Sequence, residues 1–199
     1  AKLQVAAGAV GVCVQKVGEA EALADGGVAD ILITNEVVAE AKLARVAALA
    51  GRIKLAIAVD SPLGVDRLTN ALKAAGSMVD VFVEIDVGHG RCGVRPGAAG
   101  KLARRVADLG GASGLRFAGL QAYHGRAQHM RSAAEREAAI RDAAAAVRTA
   151  RTSLDAVGVT CDLVTGAGTG TFALEATTGA WGELQCGSYV FMDRDYADN

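Results

Sequence analysis

No apolar run in this 199-residue chain is longer than a strand before a glycine or a charge interrupts it, so the sequence offers no membrane span. Its first residues also lack the basic and apolar regions of a signal peptide, and a cytoplasmic protein is the expectation. Neither sign of charge is in excess: 21 Lys and Arg stand against 22 Asp and Glu. That balance argues against a surface for duplex nucleic acid and against a polybasic membrane anchor, which leaves small molecules as the expected partners. Paired cysteines are missing too. Cys13, Cys92, Cys161 and Cys186 include no Cys-x-x-Cys, which removes the zinc ribbon and the disulfide scaffold, and there is no helical His-x-x-x-His for a metal. Cys13, Cys161 and Cys186 fall in or near apolar strand-like runs and read as packing residues. Cys92 differs, because Arg91 beside it in a glycine-rich loop can lower its pKa.

What is present is a hydrophobic content of 51%, enough for a sizeable core in one domain. Residues 1–7 read as the end of a helix stopped by Gly8. Strands are expected at Val10 to Val14, Ile31 to Ile33, Lys54 to Val59, Val79 to Ile85, Leu115 to Tyr123, Cys161 to Thr165 and Leu184 to Cys186. Helices fall between them: Val17 to Ala24, Val37 to Leu49 with Asn35 as its cap, Pro62 to Ala75 capped by Asp60 or Ser61, Ala98 to Leu109, and Ala133 to Val157. Val, Ile and Leu run almost unbroken through strands that each precede a helix, which is the pattern of a parallel sheet covered on both faces. A doubly wound open sheet and a barrel both satisfy it. Polar residues follow many of the strands, at Gln15 and Lys16, Thr34 and Asn35, Asp60, Asp86 to Arg91, Tyr123 and His124, and Thr165 to Thr171. A barrel gathers all those strand ends at one mouth, so the expected fold class is α/β, a (β/α)8 TIM-type barrel. A closed barrel has eight strands in about 250 residues. The seven expected here point to a fragment lacking the first βα unit, with strands 2 to 8 in residues 1–190.

Four stretches carry candidate chemistry. Leu163 to Thr171 is a strand opening into Gly166, Gly168 and Gly170, which without a Cβ can take positive φ and let backbone N–H groups converge on a phosphate. Thr169 and Thr171 add hydroxyls, and a helix starting near Thr171 adds its dipole. The spacing is neither a Walker loop nor the dinucleotide fingerprint, and an ordinary glycine-rich turn is the alternative. The loop from Glu84 to Gly93 can aim Asp86, His89 and Arg91 into the mouth, where a guanidinium suits a phenolate or a carboxylate; otherwise Asp86 and Arg91 simply pair. Tyr123 and His124 end the next strand, His129 reads as a surface residue, and Gln185 and Tyr189 stand on either side of Gly187-Ser188, a second turn of small residues.

Four segments together resemble the D-threonine aldolase family: Glu84-Ile-Asp-Val-Gly-His-Gly-Arg-Cys-Gly-Val94, Gly119-Leu-Gln-Ala-Tyr-His-Gly125, Thr165-Gly-Ala-Gly-Thr-Gly-Thr171 and Glu183-Leu-Gln-Cys-Gly-Ser-Tyr-Val-Phe-Met-Asp193. The resemblance extends to Gly11-Val-Cys-Val-Gln-Lys-Val17 and Thr34-Asn-Glu-Val-Val38. The family groups with D-serine dehydratase-like proteins, has the alanine-racemase-type barrel and uses pyridoxal 5′-phosphate (PLP). The resemblance implies that Arg91 bonds the PLP phenolic oxygen, that Gly168, Thr169, Gly187 and Ser188 hold the phosphate with Tyr189 as a further donor, and that Tyr123 and Gln185 lie against the ring or near its nitrogen. It implies a lyase that cleaves D-3-hydroxy-α-amino acids to glycine and an aldehyde, homodimeric at full length. The family's cofactor-bearing lysine is expected upstream of Ala1. Its divalent metal, of the Mn, Mg or Zn class, takes ligands from a C-terminal β-domain to which residues 191–199 would be the linker. Lys16 is the one substitute for that lysine near a strand end, and alone the chain is expected to be inactive or nearly so. A dehydratase acting on D-serine or 3-hydroxyaspartate, a non-catalytic PLP- or phosphate-binding barrel and a sugar-phosphate barrel enzyme are the alternatives.

Overall fold

Runs of branched apolar residues in the middle of the chain fold here as strands buried on both faces. The computed structural model describes residues 1–111, 113–192 and 194–198. In chain order its regular elements are α1 (Lys2–Ala6), β1 (Val12–Val14), α2 (Val17–Asp25), β2 (Asp30–Ile33), α3 (Glu40–Ala50), β3 (Lys54–Val59), α4 (Pro62–Ala75), β4 (Val79–Glu84), α5 (Ala99–Leu109), β5 (Leu115–Ala122), α6 (Ala133–Asp155), β6 (Val164–Gly166), α7 (Phe172–Thr178) and β7 (Glu183–Leu184). The strands follow chain order across one seven-stranded sheet, and β1–β2, β2–β3, β5–β6 and β6–β7 pair in parallel. Every residue of β4, and all of β3 but Lys54, is buried, as a sheet covered on both faces requires.

The chain divides into two compact units: Ala1–Phe82 with Arg105–Ala118, and Val83–Arg104 with Gly119–Asn199. In the first, Ile31, Ile33, Leu43, Leu49, Ile57, Leu68 and Leu72 are fully buried. Its helix boundaries show which sequence signals act. Ser61 Oγ accepts the Gly64 N–H at 3.2 Å, Pro62 opens α4, and Gly76 closes it at φ 63°, all as expected. Asn35 does not cap α3. Its amide donates to the Gln15 carbonyl at 3.3 Å, and the helix begins only at Glu40 after an Ala39 that offers no side-chain cap. Cys13 is exposed rather than packed, because β1 lies at the end of the sheet.

In the second unit α6 is capped by Ser132 Oγ on the Glu135 N–H and lies backbone to backbone on α5. A Cβ at Gly100 would sit 1.9 Å from the Ser153 carbonyl oxygen, and the Gly100 N–H donates to Ser153 Oγ at 2.9 Å. Two strands are offset from expectation. β6 begins at Val164, with the Leu163 carbonyl accepting from Leu120 and from Cys161 Sγ, and β7 ends at Leu184, after which the Gln185 N–H bonds Gly166. Asp193, the last residue of the fourth segment, lies outside the described residues.

Candidate functional site

The register of the last three strands lines up their C-terminal ends. Gln121 pairs with Thr165 and Thr165 with Glu183, and Ala122 pairs with Gly166 and Gly166 with Leu184. The chain therefore leaves all three strands at one level. Gly166 permits this closeness: a Cβ there would lie 2.2 Å from the Ala122 carbonyl oxygen and 2.8 Å from Trp181 Nε1, which itself donates to that carbonyl at 3.0 Å. The strand ends carry a polar network. Gln185 Nε2 donates to Gln121 Oε1 at 2.7 Å and to Thr165 Oγ1 at 2.8 Å, and the Thr165 hydroxyl donates to Glu183 Oε1 at 2.6 Å.

Beyond β6 the chain enters the glycine loop, which differs from expectation in how it uses its glycines. None of Gly166, Gly168 and Gly170 is among the positive-φ residues; Ala167 takes that conformation, at φ 68°. Gly168 and Gly170 are small because Gln128 lies against them, with a Cβ at Gly168 only 2.5 Å from Gln128 Oε1. Thr171 occupies the N-cap of α7, the expected helix start. From β7, Gly187 leads into a 3-10 turn, Ser188–Val190. The two turns meet: the Tyr189 N–H donates to Thr169 Oγ1 at 3.1 Å. Because that oxygen accepts from Tyr189, the Thr169 hydroxyl proton is left to donate elsewhere.

The loop after β4 opens beside β5, where the Ile85 N–H bonds the Gln121 carbonyl at 2.9 Å. Asp86 accepts the Gly88 and Gly90 N–H groups at 3.0 and 2.9 Å, and the Gly90 bond leads in holding its carboxyl below the usual range. Arg91 stands 3.8 Å from the buried Glu84 carboxylate, and its guanidinium lies 5.8 Å from the centre of the Tyr123 ring. Cys92 Sγ donates to Glu84 Oε1 at 2.9 Å. His89 and His124 stack with ring centres 6.4 Å apart, and burial lowers the pKa of both. Burial raises the thiols of Cys161 and Cys186, in keeping with packing roles.

The family profile described as "Alanine racemase, N-terminal domain" matches residues 1–195. The chain belongs to this family. It is 45% identical over 197 residues to the D-threonine aldolase of Arthrobacter sp, a match that covers 98% of the chain and 51% of that relative. The crystal structure of D-threonine aldolase from Filomicrobium marinum superposes with a TM-score of 0.94 at 48% identity, over 98% of the chain and 53% of the other. D-threo-3-hydroxyaspartate dehydratase from Delftia sp. HT23 gives 0.85 at 27% identity, over 98% and 51%. The fold is thus the alanine racemase N-terminal barrel fold, and the chain spans about half the length of these three relatives.

Within this member of the alanine racemase N-terminal family, Tyr123, Gly168, Thr169, Gln185, Gly187, Ser188 and Tyr189 all follow the level ends of β5, β6 and β7, and Arg91 follows β4. Lys16 belongs to the other unit, exposed at the start of α2. His129 is a surface residue as expected; it bonds the Asp195 carboxylate, which Arg131 also holds. Sequence reading missed Gln128, Gln121 and Glu175, all buried. Gln121 had a usable signal, being a polar residue inside the apolar run Leu115 to Tyr123. Gln128 had none, since it looks like one more polar residue of a connecting loop.

Proposed function

We propose that this chain holds PLP, as the alanine racemase family does in general, and that the protein it belongs to cleaves D-3-hydroxy-α-amino acids to glycine and an aldehyde. The observation that carries the reading is the bond from the Tyr189 N–H to Thr169 Oγ1, which draws two turns of small residues together at the strand ends. Their atoms fit a phosphate. The Thr169 proton is left to donate, and a Cβ built at Gly187 would meet nothing within 4 Å, so there is space beside that turn. Gly168, Thr169, Gly187 and Ser188 would hold the phosphate, while the backbone N–H of Tyr189 braces Thr169. Arg91 would hold the phenolic oxygen, Tyr123 would lie against the ring, and Gln185 would face the ring nitrogen.

PLP, when bound, supplies an electron sink for the pair released as the Cα–Cβ bond breaks. A permanently charged Arg91 stabilises negative charge on the phenolic oxygen and fixes the ring by it. Gln185 carries no charge and cannot keep the ring nitrogen protonated, which weakens the sink and suits cleavage over racemisation. Tyr123, beneath the guanidinium, keeps water from that face of Arg91. The His129–Asp195 pair does not suit a divalent metal, because Arg131 also holds the Asp195 carboxylate.

Titrating the 199-residue chain with PLP should give a saturable absorbance change, and Arg91→Ala should weaken binding about tenfold or more through loss of a charge-assisted hydrogen bond. A linear, unsaturable response would end the reading. The likeness to the Delftia dehydratase favours dehydration as a second possibility. Product analysis of the full-length protein with D-threonine separates them: glycine and acetaldehyde mean aldol cleavage, whereas 2-oxobutanoate and ammonia mean dehydration.

A further inference from the structure

Behind the glycine loop lies a buried amide for which neither the sequence nor the proposed reaction gives a reason. Gln128 is 0% exposed. Its Oε1 accepts the Gly170 N–H at 2.9 Å, and its Nε2 donates to Thr171 Oγ1 at 2.7 Å and to the His124 carbonyl at 3.4 Å. A backbone N–H only donates and a carbonyl only accepts, so these partners fix which end of the amide is which. Thr171 Oγ1, which accepts from Gln128, donates in turn to Glu175 Oε1 at 2.8 Å. Gly168 touches the same amide. One side chain therefore engages positions 168, 170 and 171, on both sides of Thr169, whose hydroxyl meets the Gly187–Tyr189 turn.

We propose that Gln128 is the positioning residue of this loop: its amide holds residues 168–171 so that the Gly168 N–H and the Thr169 hydroxyl face a dianion, and it thereby sets the preference for phosphorylated over unphosphorylated pyridoxal. This rests on the PLP reading above. Glu175 supports it. The carboxyl is 1% exposed, its Oε2 has no hydrogen-bond partner among the described residues, and burial pushes its pKa upward. The network thus ends on a buried carboxyl, a fixed acceptor that orients the Thr171 hydroxyl and through it the Gln128 amide.

The test compares dissociation constants of the 199-residue chain for PLP and for pyridoxal. Gln128→Glu keeps the size and the acceptor for Gly170, and in its ionised form, reached by measuring on the alkaline side of neutrality, it cannot donate to Thr171 and brings a charge behind the loop. It should weaken PLP about tenfold or more and pyridoxal less than about threefold, the loss of a charge-assisted contact to the phosphate alone. Thr171→Val, which deletes the relay oxygen, should be selective in the same sense, and Thr171→Ser should restore the wild-type ratio. If Gln128→Glu does not fold by circular dichroism, the Thr171 pair decides. An unchanged PLP-to-pyridoxal ratio, or equal loss of both ligands, would show an amide that serves folding only and overturn the proposal. A wild-type chain that binds neither ligand would instead overturn the PLP reading on which it stands.

Discussion

His124 is buried with Nδ1 accepting the Ala127 N–H at 3.3 Å, so protonating the ring removes an acceptor as well as burying a charge. Burial is the main cause of its lowered pKa, with His89 and Arg126 adding to it and Asp86 opposing. As pH falls below about 6.5, the ordinary histidine value, the unfolded chain takes up this proton first and the folded chain resists. Stability should accordingly be complete above that pH and decline as pH falls toward the lower folded pKa. Urea melts across pH 5 to 8 should show the slope, and His124→Asn, whose carbonyl oxygen can serve as the acceptor, should remove most of it. An equal slope in the variant would assign the effect to another group. At this scale sequence reading placed Arg91 and Tyr123 just beyond strand ends, where the structure has them. It missed Gln128, because an amide has no preferred role until its neighbours are known.

Glycines that look alike in a sequence do different work in strand and turn. Gly166 lies where β5 and β6 nearly touch, against a carbonyl and an indole that are both fixed, so Gly166→Ala should destabilise the protein by about 3 kcal/mol or more. Gly187→Ala, with nothing near the added methyl and no positive φ, should cost less than about 1 kcal/mol. Denaturant unfolding of the two variants checks the contrast, and similar losses would mean that both glycines serve conformation rather than contact. Helix starts divide in the same way. Ser61 and Pro62 act within one turn and were legible; Asn35 has a long-range partner in Gln15 and was not.

Across the first unit, exposed ion pairs link neighbouring segments: Glu21–Arg45, Asp25–Arg52, Asp30–Lys54 and Asp66–Arg105. Exposed pairs contribute about 0.2–1 kcal/mol each, and 1 M salt shortens their reach to about 3 Å. Raising NaCl from 0.1 to 1 M should therefore lower the unfolding free energy by no more than about 2 kcal/mol. A larger loss would mean that these pairs, and not the buried Ile and Leu side chains, hold the unit together. The alternation of strand and helix, the sheet covered on both faces and the strand ends bearing polar chemistry were all determined by the sequence, because periodicity and residue type express themselves over a few neighbouring residues. Only the tertiary structure decided that Thr169 meets Tyr189, 20 residues away, and that Gln128 holds Gly170 across 42. Those contacts depend on the register in which distant strands pair, and a register is fixed by the packing of the whole sheet rather than by any one segment.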